Sequence, residues 1–250
     1  DWDQQCFMPQ GGGEARAEHV GILSRMAHEA FVSDETKTLM EASKAEASGD
    51  DDALLRVVNR DYDLATKLPA EFVAKKTRLG TLAHEVWVKA RAANDFKAFA
   101  PMLSEMFDLA REEAELLGYK DHIYDPLIDQ HEEGATAQLV RTMFEDLKTG
   151  GVELIRNIAA SSVKIDDSHL TGTWDEGAQR EYTEMLVKAI GFDLNRGRQD
   201  TAPHPFCTNF SVNDVRLTTR FKPYIGSAIF GSLHEAGHGM YEQGSPSEWD

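Results

Sequence analysis

Basic residues are scarce in this chain: 26 Lys and Arg stand against 43 Asp and Glu, a formal charge of −17 over 250 residues. So acidic a surface repels phosphate backbones and argues against nucleic acid as a partner. Nowhere do apolar residues run for the roughly 18 positions that a membrane span requires, so no membrane partner is expected. A basic-then-apolar leader and an initiating methionine are both missing at Asp1-Trp2-Asp3, and the start reads as trimmed. There are only 2 cysteines, Cys6 and Cys207, too few and too far apart for a disulfide framework. They fit two small apolar residues in a reduced, cytosolic compartment. Internal repeats and low-complexity tracts are absent too, which sets aside solenoids and disordered segments.

What remains is an ordinary globular composition, 41% hydrophobic and 28% charged, long enough for one large or two small domains. Helical periodicity dominates. After the turn at Pro9-Gln10-Gly11-Gly12-Gly13, Ala17, Val20, Leu23, Ala27 and Phe31 fall on one stripe. Ser33 caps a short helix ending near Gly49. The acidic run Asp50-Asp51-Asp52 opens a third, with Leu54, Leu55, Val58, Tyr62 and Ala65 inward. Pro69 suits the first turn of a fourth, reaching Asn94 with Phe72, Leu79, Leu82 and Val86 inward. Asn94-Asp95 starts another that Gly118 stops. Further helices are expected near 135–161 and 175–190.

After Gly191 the texture changes. Gly197, Pro203 and Pro205 interrupt helices, and His204 to Phe210 and Val212 to Phe221 read as two short strands. The predicted fold is therefore mainly α, a multi-helix architecture with a small antiparallel β element beside the last helix. The parts expected are 1–190, helical, and 191–250, carrying the β element and that helix, within one continuous domain.

From Pro223 to Gln243 a single helix is predicted, with Ile225, Ile229 and Leu233 recurring every fourth residue. It contains His234-Glu235-Ala236-Gly237-His238, the H-E-x-x-H pattern. Histidines four apart project from one face about 6 Å apart along the axis. Two imidazole nitrogens can then meet one Zn²⁺, each at about 2.0–2.1 Å. Glu235 stands beside them as a base for a water whose pKa the metal lowers toward roughly 7. His28-Glu29, His84-Glu85 and His131-Glu132 begin the same pattern but have Val32, Val88 and Ala135 where the second histidine belongs. Those pairs read as helix-surface residues. The competing reading of His234 and His238 is a pair of core histidines. Gly237 and Gly239 speak against it, since each costs about 1 kcal/mol of helix propensity relative to Ala. They suit a helix that leaves space for a neighbouring chain or a bound peptide.

A third ligand is not evident. The longer H-E-x-x-H-x-x-G-x-x-H pattern fails at Tyr241 and Gly244. Glu242 would have to converge from a third turn of the same helix, about 12 Å from the first ligand. Glu248 and Asp250 follow too closely to fold back. The third metal ligand is thus expected outside this chain, whose end just past the helix looks truncated.

Three motifs in order, His204-Pro205-Phe206, Asp214-Val215-Arg216-Leu217-Thr218 and the zinc motif, resemble the carboxypeptidase Taq family of metallocarboxypeptidases. So do Trp2-Asp3-Gln4-Gln5, Met8-Pro9-Gln10-Gly11-Gly12, Glu14-Ala15-Arg16-Ala17-Glu18 and Tyr124-Asp125-Pro126-Leu127-Ile128-Asp129. The resemblance covers essentially the whole chain and implies the N-terminal half of a protein about twice as long. It further implies a helical, zincin-type fold with a small sheet lining a deep groove, a cytoplasmic homodimer, and Zn²⁺, with Co²⁺ as the alternative metal. The implied activity removes single residues from peptide C-termini, with broad specificity and poor tolerance of proline. In the family the third ligand is a glutamate from a later motif, so this chain alone is expected to be inactive.

By the same resemblance His204 would hydrogen-bond the substrate or the tetrahedral intermediate, with Phe206 packed beneath. The competing reading of His204 is a solvent-facing strand residue. Asp214 and Arg216 share a strand face; they either pair with each other or present Arg216 to an anionic substrate group. Tyr241 is expected to pack. Two other functions stay open: a related helical oligopeptidase or endopeptidase, and a non-catalytic helical binding module.

Overall fold

The computed structural model describes residues 2–250. Its helices are α1 (Trp2–Cys6), α2 (Gly13–Phe31), α3 (Asp34–Ser43), α4 (Asp50–Ala65), α5 (Ala70–Ala92), α6 (Phe96–Leu117), α7 (Asp125–Asp129), α8 (Ala137–Ala160) and α9 (Glu176–Ala189). Three strands follow, β1 (Gly197–Thr201), β2 (Cys207–Ser211) and β3 (Asp214–Thr219), and then α10 (Gly226–Gly244). The chain divides into two compact units, Gln10–Ala160 and a second built from Asp1–Pro9 with Ser161–Asp250. Helix α9 falls in the second unit, where it packs against α10.

In the helical unit, α2 packs on α5 and α5 on α6. Local chemistry sets the helix ends: Ser33 Oγ accepts from Thr36 N at 3.2 Å, and the Asp95 carboxylate accepts from Ala98 N at 3.2 Å. The buried stripe of α2 is Gly13, Ala17 and Gly21, while Leu23 is exposed. This departs from the predicted stripe. Small residues let the two backbones approach until a Cβ at Gly21 would sit 3.4 Å from Ala74 O. Ion pairs then tie the flanks, Arg25 to Glu71 at 3.0 Å and Arg78 to Glu18. Glu113 on α6 is buried and takes both oxygens to Lys76 Nζ at 2.6 Å. Neither α4 nor α8 fully buries any residue; of the predicted inner face of α4, Leu55, Val58, Tyr62 and Ala65 are half-buried and Leu54 is exposed.

The other unit is built on a mixed sheet of order β1-β3-β2, with β1 parallel and β2 antiparallel to β3. Two of the strands match the alternation in the sequence. The third, β1, lies in Gly197-Arg198-Gln199-Asp200-Thr201, which is too polar to announce a strand. Val215 and Leu217 on one face of β3 form a core with Val187, Phe192 and Ala236, bordered by Leu194, Cys207 and Met240. Gly191, at φ 114°, stops α9 in the left-handed region and turns Phe192 back into that core. Helix α10 lies against β2 and β3.

Candidate metal centre

Helix α10 turns a stripe of small residues to the core: Gly226, Ala228, Ser232, Ala236 and Gly239 are all buried. A Cβ at Gly239 would stand 2.7 Å from Phe192 Cε2 and 2.8 Å from Leu217 Cδ2, so the helix is seated as closely as a glycine permits. The space foreseen at Gly239 is filled by the protein's own core, whereas Gly237 faces open space with nothing within 4 Å. At the C-terminal end the Gln243 side chain exchanges two hydrogen bonds of 2.9 Å with the Asp193 backbone. Arg196 donates to Gln243 O at 3.0 Å, and Asn209 on β2 donates to the Glu242 carboxylate at 2.9 Å.

On the opposite side of α10 the structure brings His234 and His238 together. Both are exposed, and their Nε2 atoms are 3.3 Å apart with the rings at 77°. Two nitrogens held about 2.05 Å from one ion at a tetrahedral angle would be about 3.3 Å apart, so the pair fits a Zn²⁺-sized ion. The Glu235 carboxylate lies within 4.8 Å of both ligand atoms, yet the residue is only 6% exposed. Its neighbour on β2 is Cys207, whose thiol is pushed up to about 11 by burial first, then by the charges of Glu235 and Glu242. Nothing in the spacing of the sequence pairs Cys207 with Glu235. The register Cys207↔Leu217 does so, by turning the thiol to the α10 side of the sheet.

His204 sits on the exposed loop that enters β2, and its Nδ1 donates to Pro205 O at 2.7 Å. Pro205 is carried against α10, where a Cβ at Gly231 would touch its Cγ at 3.5 Å. Thr218 Oγ1 ties Phe206 down, accepting from Phe206 N at 2.8 Å and donating to Phe206 O at 3.0 Å. Phe206 itself is half-buried.

Asp214 and Arg216 are placed elsewhere. They pair with each other through two hydrogen bonds of 2.7 and 2.6 Å, which pull the Asp214 carboxyl below the usual carboxylate range. Strand alternation points them to the face of β3 away from α10, because Val215 and Leu217 face the helix. There the Arg216 guanidinium lies between the rings of Trp2 at 4.3 Å and Phe210 at 4.5 Å. Of the two arrangements their spacing allowed, the ion pair is the one adopted. Glu242 and Asp250 are also engaged away from the histidines, with Asn209 and with Val212 N. Tyr241 does not pack as expected, being 78% exposed. A cleft of about 690 Å³ bordered by Glu18, Arg25, Glu71 and Glu112 belongs to the helical unit and contains none of these residues.

A sequence profile described as carboxypeptidase Taq (M32) metallopeptidase matches residues 1–250. The chain belongs to the carboxypeptidase Taq family. Carboxypeptidase 1 of Bacillus subtilis is 31% identical over 246 residues, which are 97% of this chain and 49% of that protein. Thermostable carboxypeptidase 1 of Pyrococcus furiosus is 34% identical over 249 residues, 96% of this chain and 49% of the relative. Among solved structures, the M32 carboxypeptidase of Deinococcus radiodurans R1 superimposes with a TM-score of 0.82 at 32% identity, covering 99% of this chain and 50% of that one. The chain thus spans about half the length of the carboxypeptidase Taq relatives it matches. The family is one of metallopeptidases, and among the described residues His234, Glu235 and His238 are the group able to hold its divalent ion.

Proposed function

We propose that this chain supplies the metal-binding helix of a zinc-dependent carboxypeptidase that removes single residues from peptide C-termini with broad specificity. The observation that carries the reading is the 3.3 Å approach of two imidazole nitrogens beside a carboxylate on one helix. A divalent ion held there would supply Lewis acidity to the scissile carbonyl and to the attacking water. Glu235 takes the proton from that water and returns it to the leaving amine from a largely enclosed position. His204, held by Pro205 near the same helix, donates to the oxygen that gains charge. Asp214 and Arg216 enter as a brace on β3, not as groups that touch substrate.

The 250-residue chain by itself is proposed to be inactive, since two histidines leave the ion short of a third protein ligand. Co²⁺ as a substitute metal, homodimeric assembly and a cytoplasmic setting belong to the same proposal, on the resemblance alone. The test is made on the complete polypeptide by metal analysis and mass spectrometry of trimmed peptides. Glu235→Gln should keep the metal and lose hydrolysis by about 10²–10⁴-fold, whereas His234→Ala should lose both. Full activity in Glu235→Gln refutes the assignment, and internal cuts in place of single-residue trimming refute the carboxypeptidase reading.

A further inference from the structure

Helix α8 runs for 24 residues and buries none of them, although its sequence is that of a helix built for a core. At about 100° per residue, Leu139, Met143, Phe144, Leu147, Ile155 and Ile158 fall within an arc of roughly 160°, and each is at least half exposed. Together they present about 700 Å² of apolar surface, beyond the roughly 300–600 Å² of the largest patch on a typical soluble monomer. The opposite side carries Arg141, Lys148 and Arg156 with Glu145, Asp146 and Glu153, and it suits water. Charges balanced in this way give it no net attraction for an anionic lipid surface. Gly150 and Gly151 stand inside the apolar arc, near the middle of the helix, and a Cβ on either would meet nothing within 4 Å. Glycine is a poor helix former, so the pair weakens α8 unless a second backbone comes close there. The same chain uses small residues in that way on α2, where Gly13, Ala17 and Gly21 seat the helix on α5.

We infer that the apolar arc of α8 is the docking face for the other half of a polypeptide of carboxypeptidase Taq length, and that a helix of that half crosses α8 at Gly150 and Gly151. Length supplies the occupant: the relatives are about twice as long as this chain, so as many residues again fold against it. The width of the arc selects that occupant over a second copy. Two helices that pair alone meet along a narrow seam of two positions in seven, and an arc of roughly 160° exceeds it on both sides. Such an arc takes neighbours on either side of the crossing, as a helix does inside a larger core. Among the described residues no helix lies along α8 as α5 lies along α2, so those neighbours come from outside the 250 residues. The apolar area is close to the roughly 800 Å² that each side of a stable interface buries.

The test is hydroxyl-radical footprinting of the complete polypeptide and of the 250-residue chain, read residue by residue by mass spectrometry. It needs no substitution, because Met143 lies on the arc and an exposed thioether oxidises readily. The expected result is oxidation of Met143 about tenfold slower in the complete polypeptide than in the 250-residue chain. Equal rates overturn the inference. A diazirine analogue of methionine at Met143, in complete polypeptide co-refolded from light and ¹⁵N-labelled chains, identifies what covers the arc. Cross-links to residues outside the 250, with both peptides of one isotope, are expected; links of mixed isotope make the occupant a second copy and overturn the inference. Gly150→Leu in the complete polypeptide should raise Met143 oxidation by about threefold or more, with Phe192 unchanged. Protection undiminished in that variant overturns the crossing at the glycine pair. None of these readouts involves the metal site, so a failure here leaves the peptidase reading standing.

Discussion

Two glycines two residues apart on α10 offer a controlled comparison. Gly237 and Gly239 sit in the same helix, so replacing either by alanine yields the same propensity gain, about 1 kcal/mol. At Gly237 the new methyl enters open space, and the gain is realised in full. At Gly239 it would stand 2.7 Å from Phe192 Cε2 and 2.8 Å from Leu217 Cδ2, atoms of side chains that are 1% and 0% exposed. Neither neighbour has a free direction to move in, and overpacking of this kind costs about 1–3 kcal/mol. Gly237→Ala should therefore stabilise by up to about 1 kcal/mol, and Gly239→Ala should lie below it by about 1–3 kcal/mol. Urea unfolding followed by tryptophan fluorescence measures both, and the difference cancels the propensity term. A Gly239→Ala protein as stable as Gly237→Ala would refute the claim that α10 is seated at glycine distance.

Three further outcomes follow from the same packing. Thr218→Val removes the hydroxyl that serves both backbone groups of Phe206, so it should cost about 1–3 kcal/mol, with faster hydrogen exchange at Phe206 N; unchanged exchange would contradict the anchoring role. Cys207, held near 11, carries about 100-fold less thiolate below pH 9 than an ordinary thiol. Its alkylation should be correspondingly slow in the native chain, accelerate on unfolding, and rise with pH past the point where a free thiol levels off; a plateau near pH 9 would count against it. Lys76→Met strands the buried Glu113 carboxylate and should destabilise the helical unit by about 1–3 kcal/mol. Adding Glu113→Gln should recover part of that loss in thermal melts, and no recovery would mean that the ion pair is not what compensates the burial.

The approach of His234 to His238 was legible because H-E-x-x-H encodes its own geometry: spacing of four on a helix brings two rings to one side whatever surrounds them. Strands β2 and β3 were legible from alternation, whereas β1 pairs through backbone and shows almost no apolar side chain. The inner face of α2 was misread where large residues were taken as the buried ones, whereas Phe72 on α5 is buried as expected. On α2 the contact is made by Gly13, Ala17 and Gly21, and on α10 by a similar stripe, since close approach rewards small side chains. The two-residue spacing of Asp214 and Arg216 fixed that they share a face but not which face. Val215 and Leu217 decide that by taking the core side, and the other side gives Arg216 the ring of Trp2, far away in sequence. Tyr241 was expected to be covered because an aromatic on an apolar helix usually is, and the packing of α10 through its small residues defeats that expectation.

Because Trp2 lies against Arg216 of β3, the unit that carries His234 and His238 joins segments separated by about 150 residues and cannot close until both exist. During synthesis Trp2 must wait, exposed, while the intervening helices emerge and fold on their own contacts. Late closure of this kind makes the segment around Trp2 a sensitive place for substitution, and makes the order of events on the ribosome a property of the fold.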